Sequence, residues 1–341
     1  MSRRITALSR ITGILTAIAL LSSLVACTQA PPDGGPAGTE EPLAVRVAAM
    51  KGPTSMGLVN FMDEEANKPA AAGAPYSFDF QILEPPEVIL PLLISGELDI
   101  ALIPANASSV VYQRSNGGVQ VLNINTLGAL YVVSSDVSIS SFADLGGRTV
   151  LMTGKGATPE YVMNTLLAHS GIDGVRLEYK SEITELAAAI VADPQAIAVM
   201  PEPFVTSVLS KAPTLAVRLS LAEVWSEAVH DGSEFVLGVT VVRADFAAEH
   251  PEAVQEFLAR QAASVESVIA DPKAASMLVA GLGFIENAEI AERAIPNSNL
   301  VFITGAEMKR ALGGYLAALY AQDPASIGGA LPEDDFFYAS P

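Results

Sequence analysis

Residues 43–57 read Leu43-Ala-Val-Arg-Val-Ala-Ala-Met-Lys-Gly-Pro-Thr-Ser-Met-Gly57. The first half alternates apolar and polar positions and is rich in β-formers, which predicts a strand. From Lys51 to Gly57 the residues predict a loop that opens into a helix running through Glu64. The pattern continues in the same sense: a strand over 77–83, a helix over 86–94, a strand over 98–103, a helix over 105–113 and a strand over 119–124. Strands alternating with helices in this way predict an α/β fold in which a mostly parallel sheet is flanked by helices.

After residue 128 the pattern restarts. Strands are expected at 129–134 and 148–152, the latter followed by Thr153-Gly-Lys-Gly-Ala-Thr-Pro159 and a helix to His169. A strand at 175–179 leads into a helix over 181–191. Another at 196–200 leads through Pro201-Glu-Pro203 into a helix near 204–210, and a strong strand follows at 235–242. Beyond Pro251 the chain reads as helices, with no internal repeat of fixed period. Two strand-like passages, 126–133 and 234–241, join the two halves and carry Gly128 and Gly238. The expected architecture is two lobes with a cleft between them, residues 43–127 with 238–341 forming one and 128–237 the other. In open α/β sheets the ligand crevice lies at the carboxyl ends of the strands, so the loops that follow strands are the ones to watch.

The N-terminus is read separately. Arg3, Arg4 and Arg10 precede an uncharged apolar stretch over 11–26, which ends Leu24-Val-Ala-Cys27. Basic, apolar and then small residues form the order of a secretion signal, and the stretch is short for a membrane span. A cysteine directly after Leu-Val-Ala resembles the lipobox of bacterial lipoproteins. That resemblance implies cleavage after residue 26, lipid on Cys27 and an extracytoplasmic location at the cell membrane. An ordinary signal peptide is the competing reading. Residues 28–42 are Pro, Gly, Ala and acid with nothing to pack, and read as a flexible tether, so the spacer runs from Cys27 to Pro42.

Composition limits the function. The 341 residues are 50% hydrophobic and 17% charged, enough for a large core and about two domains. Cys27 is the single cysteine, which leaves no thiol for a disulfide or a thiolate metal site once it is spent on an anchor. The net charge of −19 argues against nucleic acid as a partner, because phosphate must be neutralised by Lys and Arg. His169, His230 and His250 stand at no recognised catalytic or zinc-binding spacing, so no catalytic residue and no metal is expected.

Several segments together carry a resemblance. They are Lys51-Gly-Pro-Thr-Ser-Met-Gly57, Ile103-Pro-Ala-Asn106, Asn125-Thr-Leu-Gly-Ala-Leu-Tyr131, Thr153-Gly-Lys-Gly-Ala-Thr-Pro-Glu-Tyr161, Lys180-Ser-Glu-Ile-Thr-Glu185, Met200-Pro-Glu-Pro-Phe204 and Ser326-Ile-Gly-Gly-Ala-Leu-Pro332. From about Leu43 to the C-terminus the chain resembles the solute-binding lipoproteins of bacterial ABC importers, in the branch near the nitrate, sulfonate, taurine and thiamine-pyrimidine binders. The resemblance implies the two-lobed periplasmic binding protein fold of type II, a small-molecule solute, an ABC permease as partner, a monomer and no cofactor. Two rivals share the fold: an enzyme related to menaquinone-pathway proteins, which the signal region argues against, and the ligand-binding module of a membrane sensor.

Candidate ligand contacts follow from the strand-end rule. Pro53, Thr54 and Ser55, beside Gly52, lie between a strand and a helix, where backbone N–H groups and hydroxyls favour an electron-rich group; a capped helix is the alternative. Gly154, Lys155, Gly156, Ala157 and Thr158 form the matching loop of the other lobe. This loop lacks the Gly-Lys-Ser/Thr ending of a nucleotide-binding loop. Two opposed helix N-termini would clamp an oxyanion. Asn106, Asn125 and Thr126 can hydrogen-bond an amide or heterocycle, or cap backbone. Glu182 and Glu202 point the other way, toward an amine or amino-heterocycle, unless they only complement helix dipoles. Tyr161 and Phe204 are the preferred ring-stacking candidates over Tyr131 and Trp225, because each follows a proposed cleft loop. The leading solute is therefore a nitrogen heterocycle like the thiamine pyrimidine, with a sulfonate or other oxyanion second.

Overall fold

The computed structural model describes residues 41–68, 75–83, 86–230, 232–285 and 287–339. The signal region, Cys27 and the tether up to residue 40 lie outside the described residues. Six strands form one sheet: β1 (Leu43–Ala49), β2 (Tyr76–Ile82), β3 (Ile100–Pro104), β4 (Val119–Leu127), β10 (Val236–Arg243) and β11 (Leu300–Ile303), in the order β11-β4-β10-β3-β1-β2. Five form a second: β5 (Leu130–Ser134), β6 (Thr149–Met152), β7 (Arg176–Tyr179), β8 (Ile197–Pro201) and β9 (Ala216–Ser220), in the order β7-β6-β8-β5-β9. The two-lobed α/β class expected from sequence is the one the chain adopts.

The sheets are mixed rather than mostly parallel. β1 runs parallel to β2 and β3, and β6 parallel to β7 and β8. β10 is antiparallel to β3 and β4, β11 to β4, and β5 to β8 and β9. The cause is the crossing between sheets: β4 leaves the first sheet and β10 re-enters it beside β4, so the two must run in opposite senses. β9 and β11, which the sequence reading did not mark, are short strands at the sheet edges. The helix expected through Glu64 is also broken, into Pro53–Met56 and Val59–Asn67. The break falls at Gly57, where a Cβ would stand 2.7 Å from the Val265 side chain.

Alternation places the cores. Along β3, Ile100 and Leu102 face one apolar layer with Phe61, Phe257 and Val265, while Ala101 and Ile103 face another with Val111, Leu312 and Leu316. A strand covered on both faces is apolar throughout, which explains the unbroken Ile-Ala-Leu-Ile run. The second layer does not stop at the first sheet. It continues through Tyr315, Phe235 and Trp225 into Val162, Met163 and Val150 of the other lobe. Trp225 and Tyr315 are fully buried with ring centroids 5.3 Å apart.

Both crossings run beside this shared core. Gly128 links β4 to β5, and its N–H donates to the Phe235 carbonyl at 2.7 Å, just before β10 begins. A Cβ on Gly128 would lie 2.1 Å from the Phe235 ring, so a larger residue cannot pass there without moving it. The Asn299 side chain donates to the Gly128 carbonyl and ties the first crossing to the first lobe.

Candidate functional site

On the first-lobe side, the loop after β1 is organised by its own hydroxyl. Ser55 is buried, and its Oγ accepts from the Met50 N–H at 2.9 Å. Thr54 is half-buried and seated against β10. A Cβ on Gly238 would stand 2.6 Å from Asn125 Oδ1 and 2.8 Å from Thr54 Cγ2, so glycine there lets both side chains reach the strand backbone. Thr54, Asn125 and Gly238 therefore converge. Beneath them lies a buried polar network. Asn125 Nδ2 donates to Thr240 Oγ1 at 3.1 Å, Thr126 Oγ1 donates to Asn125 Oδ1 at 2.9 Å, and Gln261 Nε2 donates to Thr240 Oγ1 at 2.9 Å. Asn123 Nδ2 donates to Gln261 Oε1 at 2.7 Å. A connected buried network of this kind fixes its members in place. Pro53 opens the adjoining single-turn helix.

Asn106 begins the second turn of the site, directly after β3. Its Nδ2 donates to the Ser326 carbonyl at 3.1 Å, and its Oδ1 accepts from Thr158 Oγ1 at 3.0 Å. Thr158 belongs to the other sheet's lobe, so this bond joins the two. Two more bonds join them elsewhere: Tyr131 donates to the Asn297 carbonyl at 2.6 Å, and Arg293 to Ser210 Oγ at 2.6 Å.

The loop after β6 is built differently. Gly154 takes a left-handed φ of 81°, and its carbonyl accepts from the Ala157 N–H at 3.0 Å. The Gly156 N–H donates to Glu160 Oε2 at 2.5 Å, and Tyr161 donates to the Gly156 carbonyl at 3.1 Å. The other Glu160 oxygen accepts from the Tyr179 hydroxyl at 2.7 Å. Burial first, and then the Glu160 carboxylate, push the Tyr179 hydroxyl well above its usual pKa. Tyr161 is shifted the same way by burial, Asp323 and Glu160. Lys155 and Ala157 are exposed, and Lys155 Nζ sits 5.9 Å from the centre of the Tyr179 ring. The expected pair of facing helix N-termini is thus not what the chain builds. The first helix is a single turn, and on the second side a carboxylate already holds the Gly156 amide.

The two acids part company. Glu182 is exposed at the start of the helix Ile183–Ala192 and makes no side-chain cap. Glu202 is only 2% exposed; its oxygens accept from the Thr206 N–H at 3.1 Å and the Thr206 hydroxyl at 2.9 Å. Burial raises its pKa, with the two Thr206 bonds opposing the shift. The Glu202 N–H donates to the Ala129 carbonyl at 3.1 Å, which puts it at the first crossing. Nearby, the Tyr131 hydroxyl is pushed up to about 12 by burial and then by Glu202 and Glu223. Phe204 and Tyr161 are half-buried against the cores, while Trp225 is wholly core.

Sequence reasoning passed over Glu160, Tyr179 and the Thr240–Gln261 pair. An acid two residues after Thr158, in the first turn of a helix, was the available signal for Glu160. Two asparagines inside the apolar strand β4 were the signal for the network. Among the described residues no group of His, Cys, Asp and Glu is placed to hold a metal ion, and no helix is long and apolar enough to cross a membrane.

Residues 78–275 match the family model described as NMT1/THI5 like. The chain belongs to that family. Solved structures extend the likeness over most of the chain. An ABC transporter protein from Parabacteroides distasonis is 20% identical with a TM-score of 0.74, covering 87% of this chain and 99% of its own. The periplasmic aliphatic sulphonate binding protein SsuA of Escherichia coli is 13% identical with a TM-score of 0.69, covering 88% and 94%. The alkanesulfonate-binding protein SsuA of Xanthomonas axonopodis pv. citri, bound to MOPS, is 15% identical with a TM-score of 0.61, covering 86% and 96%. At these identities the likeness establishes the fold. No curated protein matches the chain.

Proposed function

We propose that this protein is the extracytoplasmic solute receptor of an ABC importer, held at the membrane by lipid on Cys27 and spaced from it by residues 27–42. Residues 43–127 with 238–341 form one lobe and 128–237 the other. The observation that carries the reading is the meeting of strand-end loops from both sheets, joined through the Asn106–Thr158 bond beside Thr54 and Asn125. Solute entering between the lobes favours the closed state by binding it more tightly than the open one, and the closed form is what the permease reads. The family match and the names of the solved neighbours support a transport role over an enzymatic one.

The leading solute is a small nitrogen heterocycle of the thiamine-pyrimidine kind. Buried Glu202 supports it, because a carboxylate accepts hydrogen bonds and suits an amino group. A sulfonate or other oxyanion is the second reading, favoured by the sulphonate-binding neighbours. Thermal unfolding of the purified chain against pyrimidines, other heterocycles, sulfonates and simple oxyanions tests both. A solute at about 100 times its Kd adds roughly 2.7 kcal/mol of stability, a clear rise in Tm. A rise with one class names that class; a panel without any rise withdraws both.

A further inference from the structure

We propose that Glu160 is a specificity residue: its carboxylate occupies the Gly156 amide that an oxyanion would need, and so turns the cleft toward solutes that donate hydrogen bonds. The inference rests on the solute-receptor reading of the loop after β6.

The geometry is that of a fixed group. One Glu160 oxygen takes the Gly156 N–H at 2.5 Å and the other takes the Tyr179 hydroxyl at 2.7 Å, so the carboxylate is held at both ends. Tyr161 closes the loop from its carbonyl side. A sulfonate approaching the same amide would have to displace a carboxylate or share the site with one, and two anions at hydrogen-bond range repel each other. Lys155 only offsets the Glu160 charge, and its ammonium lies over the Tyr179 ring.

Donors that an oxyanion would use elsewhere in the cleft are also spent. Asn106 Nδ2 is given to the Ser326 carbonyl, Thr158 Oγ1 to Asn106 and Asn125 Nδ2 to Thr240. Acceptors keep capacity. Each Glu202 oxygen takes a single bond, from Thr206, and a carboxylate oxygen has room for another. A cleft short of donors and supplied with acceptors selects an amine, an amidine-like ring or an amino-heterocycle. In this respect the chain departs from the sulphonate-binding proteins that share its fold.

The test compares the full chain in mild detergent with Glu160→Ala and Glu160→Gln, using ethanesulfonate and 4-aminopyrimidine as probes in calorimetric titration and thermal unfolding. The wild type should give no Tm rise with ethanesulfonate, while Glu160→Ala binds it at least about tenfold more tightly than the wild type does. Glu160→Gln should fall between them, since its amide oxygen still accepts from Gly156 without the charge. It decides alone if the alanine variant does not fold. Equal ethanesulfonate binding by wild type and both variants, or no gain in either, overturns the role of Glu160. A 4-aminopyrimidine response in the wild type with no gain in the variants removes Glu160 alone. A gain in the variants with no probe bound by the wild type keeps Glu160 and counts against the solute class.

Discussion

The loops after β1 and after β6 look like a matched pair in sequence, each a glycine-rich turn from a strand into a helix that starts with proline near its first position. In the folded chain they are opposites. The first spends its serine on its own backbone and presents Thr54 against the close-packed Gly238, with a satisfied polar network beneath. The second is fastened from outside by Glu160, Tyr161 and Tyr179, and its amide is already charged against a carboxylate. Sequence position tells where backbone N–H groups gather. It does not tell whether a neighbouring side chain has taken them.

The largest expected effect comes from removing the first loop's seat. In Gly238→Ala the new methyl falls on Asn125 Oδ1 and Thr54, so stability should drop by about 1–3 kcal/mol in denaturant unfolding and solute binding should be lost. Next is the bond between the loops' lobes. Asn106→Ala strips partners from the Ser326 carbonyl and the Thr158 hydroxyl, and should lower stability by about 1–2 kcal/mol; a melt identical to wild type would show that the bridge contributes nothing.

Glu202→Gln should act with the opposite sign. Burial raises the folded pKa of Glu202 above its unfolded value, so folding binds a proton that the unfolded chain releases, and stability falls as pH rises between the two. The glutamine variant escapes that penalty. Its Tm should exceed the wild type at pH 7, with the difference closing as pH drops below the ordinary glutamate value of 4.5. The same variant should bind solute more weakly. A variant that is both more stable and weaker in binding marks a carboxylate kept for recognition, whereas unchanged affinity would leave it a helix cap. The smallest effect is expected at Glu182→Gln, within about 0.5 kcal/mol and without change in affinity, because that carboxylate is exposed and makes no cap.

Much of the fold was legible because burial on both faces writes unbroken apolar runs, as in β3 and β8. The direction of pairing was not. Which strand sits beside which depends on where the chain crosses between sheets, and β10 lies next to β4 only because Gly128 and Phe235 run side by side. Edge strands such as β9 and β11 carry too few residues to show a period. At the site, residue types were legible and their commitments were not. Asn106 was marked for its ability to donate and accept, and the folded chain uses both abilities internally. Glu202 and Glu182 both follow strands, yet only the tertiary fold buries one and exposes the other.

The account turns on both loops meeting one solute. The direct measurement is calorimetric titration of a single bound solute with Thr54→Val from the first loop and Gly154→Ala from the second, where a side chain at φ 81° is strained and would crowd Pro159 at 2.9 Å. The account predicts that each variant weakens binding of the same solute by at least about tenfold while both still unfold cooperatively. Full wild-type affinity in either variant would contradict it, leaving one loop as structure and the solute on a single lobe.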